Sequence, residues 1–273
     1  MSDYNRNVST SPWDRAAGRT SLAVDQGLRA YMLRVYNYMV IGLAITGLAA
    51  LGIYMISVTG DANAAAKILR NGVEVPARVA GNMYLTSIGH TIFVSPVKWV
   101  IILAPLAMVF GLSYGIQKVR PATAQLLFLI FAALMGLSLG SIFMVYTHTS
   151  IVRVFFITAA SFGALSLWGY TTQRDLSGMG SFLLMGLIGV ILASLVNVFM
   201  ASSVLQFVIS VVGVLVFAGL TAWDTQRLKT EYLHGGMDGE TTERSAILGA
   251  LSLYLNFINM FTLLLQLFGQ KSE

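Results

Sequence analysis

The sequence predicts an all-α membrane protein that crosses the bilayer several times. Of its 273 residues, 56% are hydrophobic and 11% are charged, and the mean hydropathy is +0.74. In soluble domains about a quarter of all residues are charged, so this chain has too few polar side chains to cover a water-exposed surface. The charges are also segregated, and the uncharged stretches are 35–60, 99–117, 121–152, 154–173, 176–223 and 245–270.

These stretches predict seven spans, because crossing a bilayer takes about 20 apolar residues and 176–223 is long enough for two crossings. All are expected to be helices, since a helix satisfies its own backbone hydrogen bonds in hydrocarbon and an open strand does not. The glycine pairs Gly111–Gly115 and Gly136–Gly140 have the spacing of close helix contacts. The spans are Leu33–Ile56, Trp99–Ile116, Ala124–Tyr146, Val154–Tyr170, Met179–Met200, Val204–Trp223 and Ala246–Phe268.

The domain prediction is a transmembrane domain over residues 31–269, flanked by a mobile polar N-terminal tail (1–30) and a short C-terminal tail (270–273). Residues 57–97 form a long first loop, which is too short and too weakly hydrophobic to be expected to fold as a domain. Eleven Lys and Arg residues fall on the side of the N-terminus and six on the other. The positive-inside rule therefore predicts a cytoplasmic N-terminus. Seven full spans would put the C-terminus outside, whereas a re-entrant seventh segment would return it to the cytoplasm.

Several function classes are excluded by residue counts. The chain has no cysteine, so disulfides and thiolate chemistry are absent. Its histidines (His90, His148 and His234) have no ligand spacing, so neither a metal site nor a cofactor is expected. The basic residues lie in loops and tails, which indicates membrane orientation and not nucleic-acid binding. No catalytic motif is present, and an intramembrane aspartyl protease would need a second acid beside Asp224, so no enzyme is predicted.

Polar residues gather on one face of each of the last two spans, at about 100° per residue. Such a face is expected to turn toward the bundle interior or a water-filled path. Asp224 and Asn256 are the candidates for an ion path or pH sensing, with transient Ca²⁺ binding at Asp224. The faces contain Gln206, Ser210, Gly213, Phe217, Thr221 and Asp224 on the sixth span, and Ser245, Gly249, Ser252, Asn256, Asn259 and Gln266 on the seventh. Gln206, Ser210, Thr221, Ser252, Asn259 and Gln266 are the supporting polar residues.

A purely structural interpretation of these residues stays open. Asp224 could be an interfacial acid paired with Arg227 one helical turn later, an interaction worth a fraction of a kcal/mol. The serine and asparagine side chains could be interhelical hydrogen-bonding groups worth about 0.6 kcal/mol each. A carboxylate at membrane depth is nevertheless a default functional candidate.

Three stretches resemble the bacterial branch of the Bax inhibitor-1 family, also called the transmembrane Bax-inhibitor-motif proteins. They are 136–142 (GLSLGSI), 174–180 (RDLSGMG), and Asp224-Thr225-Gln226 followed by 251–259 (LSLYLNFIN). The resemblance implies a seven-helix bundle with a central seventh helix. It also implies a pH-sensitive calcium leak, a role in stress or cell-death responses and, in the bacterial branch, an interaction with a membrane-bound AAA protease.

The family's leak model places one acid in the sixth helix and one in the seventh, sharing a proton near the pore. Asp224 matches the first acid, whereas Asn256 is an amide where the family typically has aspartate. A passing Ca²⁺ would meet one formal negative charge instead of two, which weakens its binding. Two functional hypotheses follow: a cation (calcium) leak channel or transporter in a bacterial inner membrane, or a non-transporting regulator that binds a membrane protease through the N-terminal tail.

Overall fold

A computed structural model describes residues 12–70, 73–235 and 239–272. Within them, seven helices are long and apolar enough to cross a membrane, so the predicted fold class is confirmed. The elements in chain order are α1 (Pro12–Ser57), β1 (Val58–Thr59), β2 (Lys67–Arg70), β3 (Val73–Pro76), β4 (Arg78–Ala80), β5 (Met83–Leu85), α2 (Ser87–Phe93), α3 (Val97–Gly115), a 3-10 turn (Ile116–Lys118), α4 (Pro121–Leu139), α5 (Ile142–Val145), α6 (His148–Thr171), α7 (Ser177–Met200), α8 (Ser203–His234) and α9 (Gly239–Phe268).

Helix α9 lies at the centre of the bundle and packs against α1, α4, α6 and α8. In its most apolar stretch 67% of the residues are buried, against 11% in α3 and in α7. Tyr254, fully buried near the middle of α9, contacts the rings of Phe128 and Phe131 edge-on and shares a 2.6 Å hydrogen bond with the Thr46 hydroxyl. The central seventh helix implied by the family resemblance is therefore present.

Helices α1 and α4 approach each other closely at glycines. A Cβ atom at Gly136 would overlap the Thr46 carbonyl oxygen, and one at Gly140 would overlap the Ile53 side chain. The predicted close contact is thus confirmed for this pair. It is wrong for Gly111–Gly115, where a Cβ would meet no atom within 4 Å, because that face of α3 is turned away from the rest of the described bundle.

The last two helices extend beyond the predicted spans. Helix α8 continues to His234, and α9 begins at Gly239. Hydropathy marks where the hydrocarbon ends, but a helix continues if its amphipathic extension finds a partner. Here Tyr232 stacks on Tyr31 of α1, and the Ser245 hydroxyl hydrogen-bonds both Tyr31 and Glu231.

The predicted boundary of the N-terminal tail is wrong. Helix α1 already begins at Pro12, Leu28 is buried, and Gly27 packs against the Tyr232 hydroxyl. Residues from Pro12 onward and the first span therefore form one helix, which packs on the extension of α8 at Gly27 and Tyr31. Residues 1–11 of the predicted tail lie outside the described residues.

The first loop carries structure that its composition did not predict. An antiparallel sheet in the order β1-β5-β4 and a β2–β3 hairpin lie beside α2. Ala66, Ala77 and Leu85 form a small core with Met144 of α5 and Tyr54 of α1. The loop thus does not build a core of its own, as its composition indicated, but it forms strands because the membrane helices supply the apolar surface that it lacks.

Helix α9 is one continuous helix that runs from one end of the bundle to the other. Thr147 N donates to Gln270 O, and Ser272 N donates to Val145 O, both at 2.9 Å. These bonds fix the C-terminal residues beside the α5–α6 connection and the first loop. We call this side of the molecule the C-side and the opposite side, where α1 and α9 begin, the N-side. Glu273 lies outside the described residues.

Candidate ion site between α8 and α9

Asp224 is a buried acid that two side chains of α9 hold in place. The Ser252 hydroxyl and the Asn256 amide nitrogen donate to the same oxygen, Oδ2, at 2.8 Å and 2.7 Å. Ser252 and Asn256 are four residues apart and therefore lie one above the other on the same face of α9. Asp224 is 3% exposed and Asn256 5%. The two principal candidate residues thus meet directly.

The other carboxylate oxygen of Asp224 faces a cation. Arg227 Nη2 lies 2.9 Å from Oδ1, one turn further along α8, and its guanidinium lies over the Trp223 ring at 4.9 Å. The Arg227 side chain is 44% exposed, whereas that of Asp224 is 4% exposed. Oδ1 makes no hydrogen bond among the described residues. The sequence left open whether Asp224 is a buried acid or an acid paired with Arg227. In the structure it is both buried and paired.

A cavity of about 730 Å³ adjoins this cluster between α3, α4, α7, α8 and α9. Its volume is in the range of small-molecule sites, about 300–1,000 Å³. The walls from α3 and α7 are apolar, and the polar lining comes mostly from the last two helices. The polar and charged lining residues are Ser138, Asp224, Arg227, Ser252, Asn256, Asn259 and Thr262.

A second polar cluster lies at the C-side ends of the same two helices. Gln206 donates to Gln266 Oε1 at 2.6 Å, and the Ser210 hydroxyl donates to the same oxygen at 3.0 Å. Asn197 of α7 completes the cluster by donating to Gln206 Oε1 at 3.0 Å. We call this group the amide cluster and the group of Asp224, Arg227, Ser252 and Asn256 the acid cluster.

Apolar packing separates the two clusters. Leu263 of α9 fits against Gly213 of α8, where a Cβ would lie 2.6 Å from Leu263 Cδ1. Phe217 and Met260 are buried nearby in the same core. From Ser210 to Asp224 is about 21 Å at 1.5 Å per residue. The sequence predicted a mixed face on the sixth span and a polar face along the whole seventh span, and the structure interrupts the polar groups where Leu263 fills the space left by Gly213.

The remaining two supporting residues are satisfied within their own helices. The Thr221 hydroxyl donates to Phe217 O, and the Asn259 amide donates to Leu255 O, each at 2.8 Å. Thr221 is fully buried. Asn259 also lines the cavity.

Gln226, which belongs to a family-like stretch but was given no role from the sequence, braces the α6–α7 loop. Its amide nitrogen donates to Arg174 O, and its amide oxygen accepts from Leu176 N, both at 2.8 Å. This fixes the α6–α7 loop, where hydrogen bonds from the Ser177 hydroxyl and backbone N–H lower the pKa of the Asp175 carboxyl. Two of the family-like stretches thus meet in space, a signal that the sequence contained.

The acid cluster offers oxygen ligands for a hard cation. A carboxylate, an amide oxygen and a hydroxyl are groups that Ca²⁺ accepts, but the ion takes six to eight oxygens in a tight site. No group of three or more His, Cys, Asp or Glu side chains within residues 12–70, 73–235 and 239–272 could hold a metal ion. The arrangement therefore suits transient contact with a cation that keeps part of its water shell.

The sequence matches a family model and several known proteins, and the matches cover most of the bundle. The model of the family described as "Inhibitor of apoptosis-promoting Bax1" matches residues 28–273. An uncharacterized protein of Caulobacter vibrioides is 42% identical over 274 residues, covering 100% of both chains. One from Rickettsia prowazekii is 40% identical, again over 100% of both chains. The inner membrane protein YbhL of Escherichia coli is 42% identical over 90% of this chain and 93% of the relative. The matched region includes α1 from Leu28 onward and all the later crossing helices, and the chain belongs to the Bax inhibitor-1 family.

Proposed function

We propose that this chain is a cation-leak channel of a bacterial inner membrane, with Ca²⁺ as the ion. One observation carries the proposal: a buried carboxylate, Asp224, adjoins a cavity of about 730 Å³ at membrane depth. Placing an ionisable group in a membrane is costly, and such groups commonly mark ion paths.

The proposed cation site uses the oxygens of the acid cluster. A dehydrating cation would take the Asp224 carboxylate, and the Ser252 and Asn256 side chains would turn their oxygens toward it. Arg227 competes for the carboxylate, since it already supplies the opposite charge at 2.9 Å. Occupation by Ca²⁺ therefore requires Arg227 to move toward solvent, which its half-exposed position allows.

The proposed channel is closed in this arrangement. A cation leaving the acid cluster toward the C-side meets Leu263 packed on Gly213 before it reaches the amide cluster. Apolar constrictions of this kind gate by excluding water. Conduction thus needs α8 and α9 to separate near Leu263, so the leak is expected to be slow at rest.

The proposed membrane and orientation have separate support. The Escherichia coli relative is an inner membrane protein. The Lys and Arg surplus on the N-side favours a cytoplasmic N-terminus. The acid cluster, which lies nearer that side, would then be reached from the cytoplasm.

The test is Ca²⁺ flux into liposomes that contain an indicator dye, with wild-type protein and Asp224→Asn. The amide has the shape of the carboxylate and can still accept from Ser252, and Arg227 can turn to solvent, so the fold is expected to survive. Flux should fall to the level of protein-free liposomes at every pH between about 5 and 8, because the neutral amide offers no negative charge to a cation at any pH. Asp25→Asn, an exposed acid on the same side, is the matched control. Wild-type flux in Asp224→Asn would rule out the proposed ion site.

A second candidate function is a regulator that docks on a membrane-bound AAA protease. It is favoured by α1, which begins at Pro12, well before the membrane-crossing part that begins at Val24. Deleting residues 2–22 should abolish co-purification with the protease and leave the packed part of α1 intact. A longer deletion to residue 28 would remove Gly27 and Leu28, which pack in the bundle. Unchanged co-purification after the shorter deletion would contradict this candidate.

A further inference from the structure

An apolar furrow runs between α1 and α6 on the N-side half of the bundle. Helix α1 packs on α4 and α9, whereas α6 packs on α8 and α9, so the two helices border the same outer surface with a gap between them. The gap is a cavity of about 490 Å³. Its lining residues are Arg29, Met32, Leu33, Tyr36, Met39 and Val40 from α1, and Phe162, Gly163, Ser166, Leu167 and Tyr170 from α6.

The length of the furrow matches one leaflet of a bilayer. Its α1 wall runs from Arg29 to Val40, which is about 16 Å at 1.5 Å per residue. The hydrocarbon core of a bilayer is about 30 Å thick, so one leaflet contributes about half of it. The furrow therefore reaches from the N-side edge of the membrane to about its middle.

Two polar side chains of the furrow, Tyr36 and Ser166, are hydrogen-bonded within the protein and need no water. The Tyr36 hydroxyl shares a 2.6 Å hydrogen bond with the Ser166 hydroxyl, which in turn shares a 2.9 Å bond with Thr225. With these groups satisfied by one another, the rest of the lining is apolar apart from Arg29 and the Tyr170 hydroxyl, which lie at the N-side end. An acyl chain can lie there without leaving a polar group unpaired.

The N-side end of the furrow is positively charged. Arg29 is exposed, and no carboxylate of the described side chains forms an ion pair with it. Lys229 lies at the same end, where it donates to Tyr170 O at 2.9 Å and approaches the Tyr170 ring at 5.2 Å. The Arg29 guanidinium, which pairs with no carboxylate among the described side chains, thus lies at the end of an apolar slot.

We propose that this furrow binds an anionic phospholipid of the N-side leaflet, with an acyl chain between α1 and α6 and the phosphate at Arg29. The C-side half of the same gap provides the contrast. There a separate cavity of about 320 Å³, lined by residues such as Gly47 and Phe156, has no charged residue in its lining. The geometry therefore assigns headgroup recognition to one leaflet only. The proposal does not depend on ion conduction.

The experiment measures lipids retained by the purified full-length protein in native mass spectrometry. Phosphatidylglycerol and phosphatidylcholine with identical acyl chains are offered at equal concentration. Arg29→Gln removes the cation, and Gly163→Leu fills the slot, where a new Cβ would meet no atom within 4 Å. The matched controls are Arg34→Gln, a cation of the same helix that does not line the furrow, and Gly47→Leu, which fills the C-side cavity instead.

We expect the wild type to retain phosphatidylglycerol about fivefold better than phosphatidylcholine, the preference that one arginine near a headgroup supplies. Arg29→Gln should lose this preference, Gly163→Leu should lose the retained lipid, and both controls should behave as wild type. Equal retention of the two lipids by the wild type, or a preference that survives Arg29→Gln, would overturn the proposal. Retention of a co-purified polypeptide in place of lipid would do the same. Because Arg29→Gln changes only an exposed side chain, it remains decisive even where Gly163→Leu lowers the yield of folded protein.

Discussion

The acid cluster and the amide cluster lie on the same pair of helices but have opposite properties. The acid cluster contains a formal negative charge that is 3% exposed, and it adjoins a cavity that five helices line. The amide cluster consists of neutral side chains at the helix ends, where Gln206, Ser210 and Gln266 satisfy one another. In the proposed function the first exchanges a partner for a cation, whereas the second binds two helix ends together.

The difference shows that a polar stripe on a helix does not by itself define a path. Both clusters come from the same periodic pattern, and the packing of Leu263 on Gly213 separates them. The predictions below test whether the acid cluster carries the leak and whether the apolar packing limits it.

The largest effect is expected from Asn256→Asp. The new carboxylate would face Asp224 at the 2.7 Å contact that the amide now makes, so the two acids would titrate as a coupled pair. Ca²⁺ flux should then change at least about tenfold between pH 5 and pH 8, because each ionisation alters the charge that a cation meets. Liposome flux across this range measures the profile. A profile identical to wild type would mean that the two positions do not act as a pair.

Leu263→Ala should open the barrier between the clusters. Removing the side chain that fills the space at Gly213 leaves a cavity, which costs about 2 kcal/mol or more of stability and raises Ca²⁺ flux several-fold. Leu264→Ala is the control, since Leu264 is equally buried, at 7% against 8% exposed. Flux and thermal unfolding are measured on both variants. An equal rise of Ca²⁺ flux in Leu264→Ala would mean that the effect comes from a general loss of packing and not from the barrier at Leu263.

Arg227→Gln should increase flux by a smaller factor. The variant removes the cation that competes for Asp224 Oδ1, and a half-exposed ion pair is worth about 1 kcal/mol at most. That free energy corresponds to about fivefold more available carboxylate, since about 1.4 kcal/mol is a factor of ten. Flux at a fixed Ca²⁺ gradient is the measurement, and it should become less sensitive to salt. A fall in flux would show that Arg227 supports the site.

The smallest effect is expected from Gln266→Leu in the amide cluster. The variant loses the hydrogen bonds to Gln206 and Ser210, worth about 0.6 kcal/mol each in a membrane protein. Thermal unfolding should move to a slightly lower temperature, and flux should stay within about twofold of wild type, a change below 0.5 kcal/mol. A large loss of flux would instead make the amide cluster part of the ion path and remove the contrast between the clusters.

The membrane spans were predictable because hydrocarbon selects for long apolar helices regardless of how they pack. The ends of those helices were less predictable. Residues 224–234 and 239–245 remain helical through stacking and hydrogen bonds with α1, such as the Tyr31–Tyr232 pair. The strands of the first loop were missed for a related reason, since Met144 and Tyr54 from the helices complete their small core.

In the candidate site, the residue types were predictable and their grouping was not. Asp224 is conspicuous in any apolar sequence, and Asn256 and Ser252 follow from helical spacing. Neither spacing nor composition indicates that both donate to one oxygen of Asp224 or that Arg227 faces the other. Gln226 was passed over because its partners are backbone groups of another loop.

The sequence by itself determined that the chain crosses a membrane seven times and that its last two helices carry polar faces with an acid on the sixth span. Those properties depend on the free energy of transferring each side chain from water to lipid, and that free energy is a property of the individual residue. Only the tertiary structure decided that the faces divide into a charged buried cluster and a neutral terminal one. That division depends on which side chain enters the space left by Gly213, and contact between two helices is a property of the pair that neither segment encodes alone.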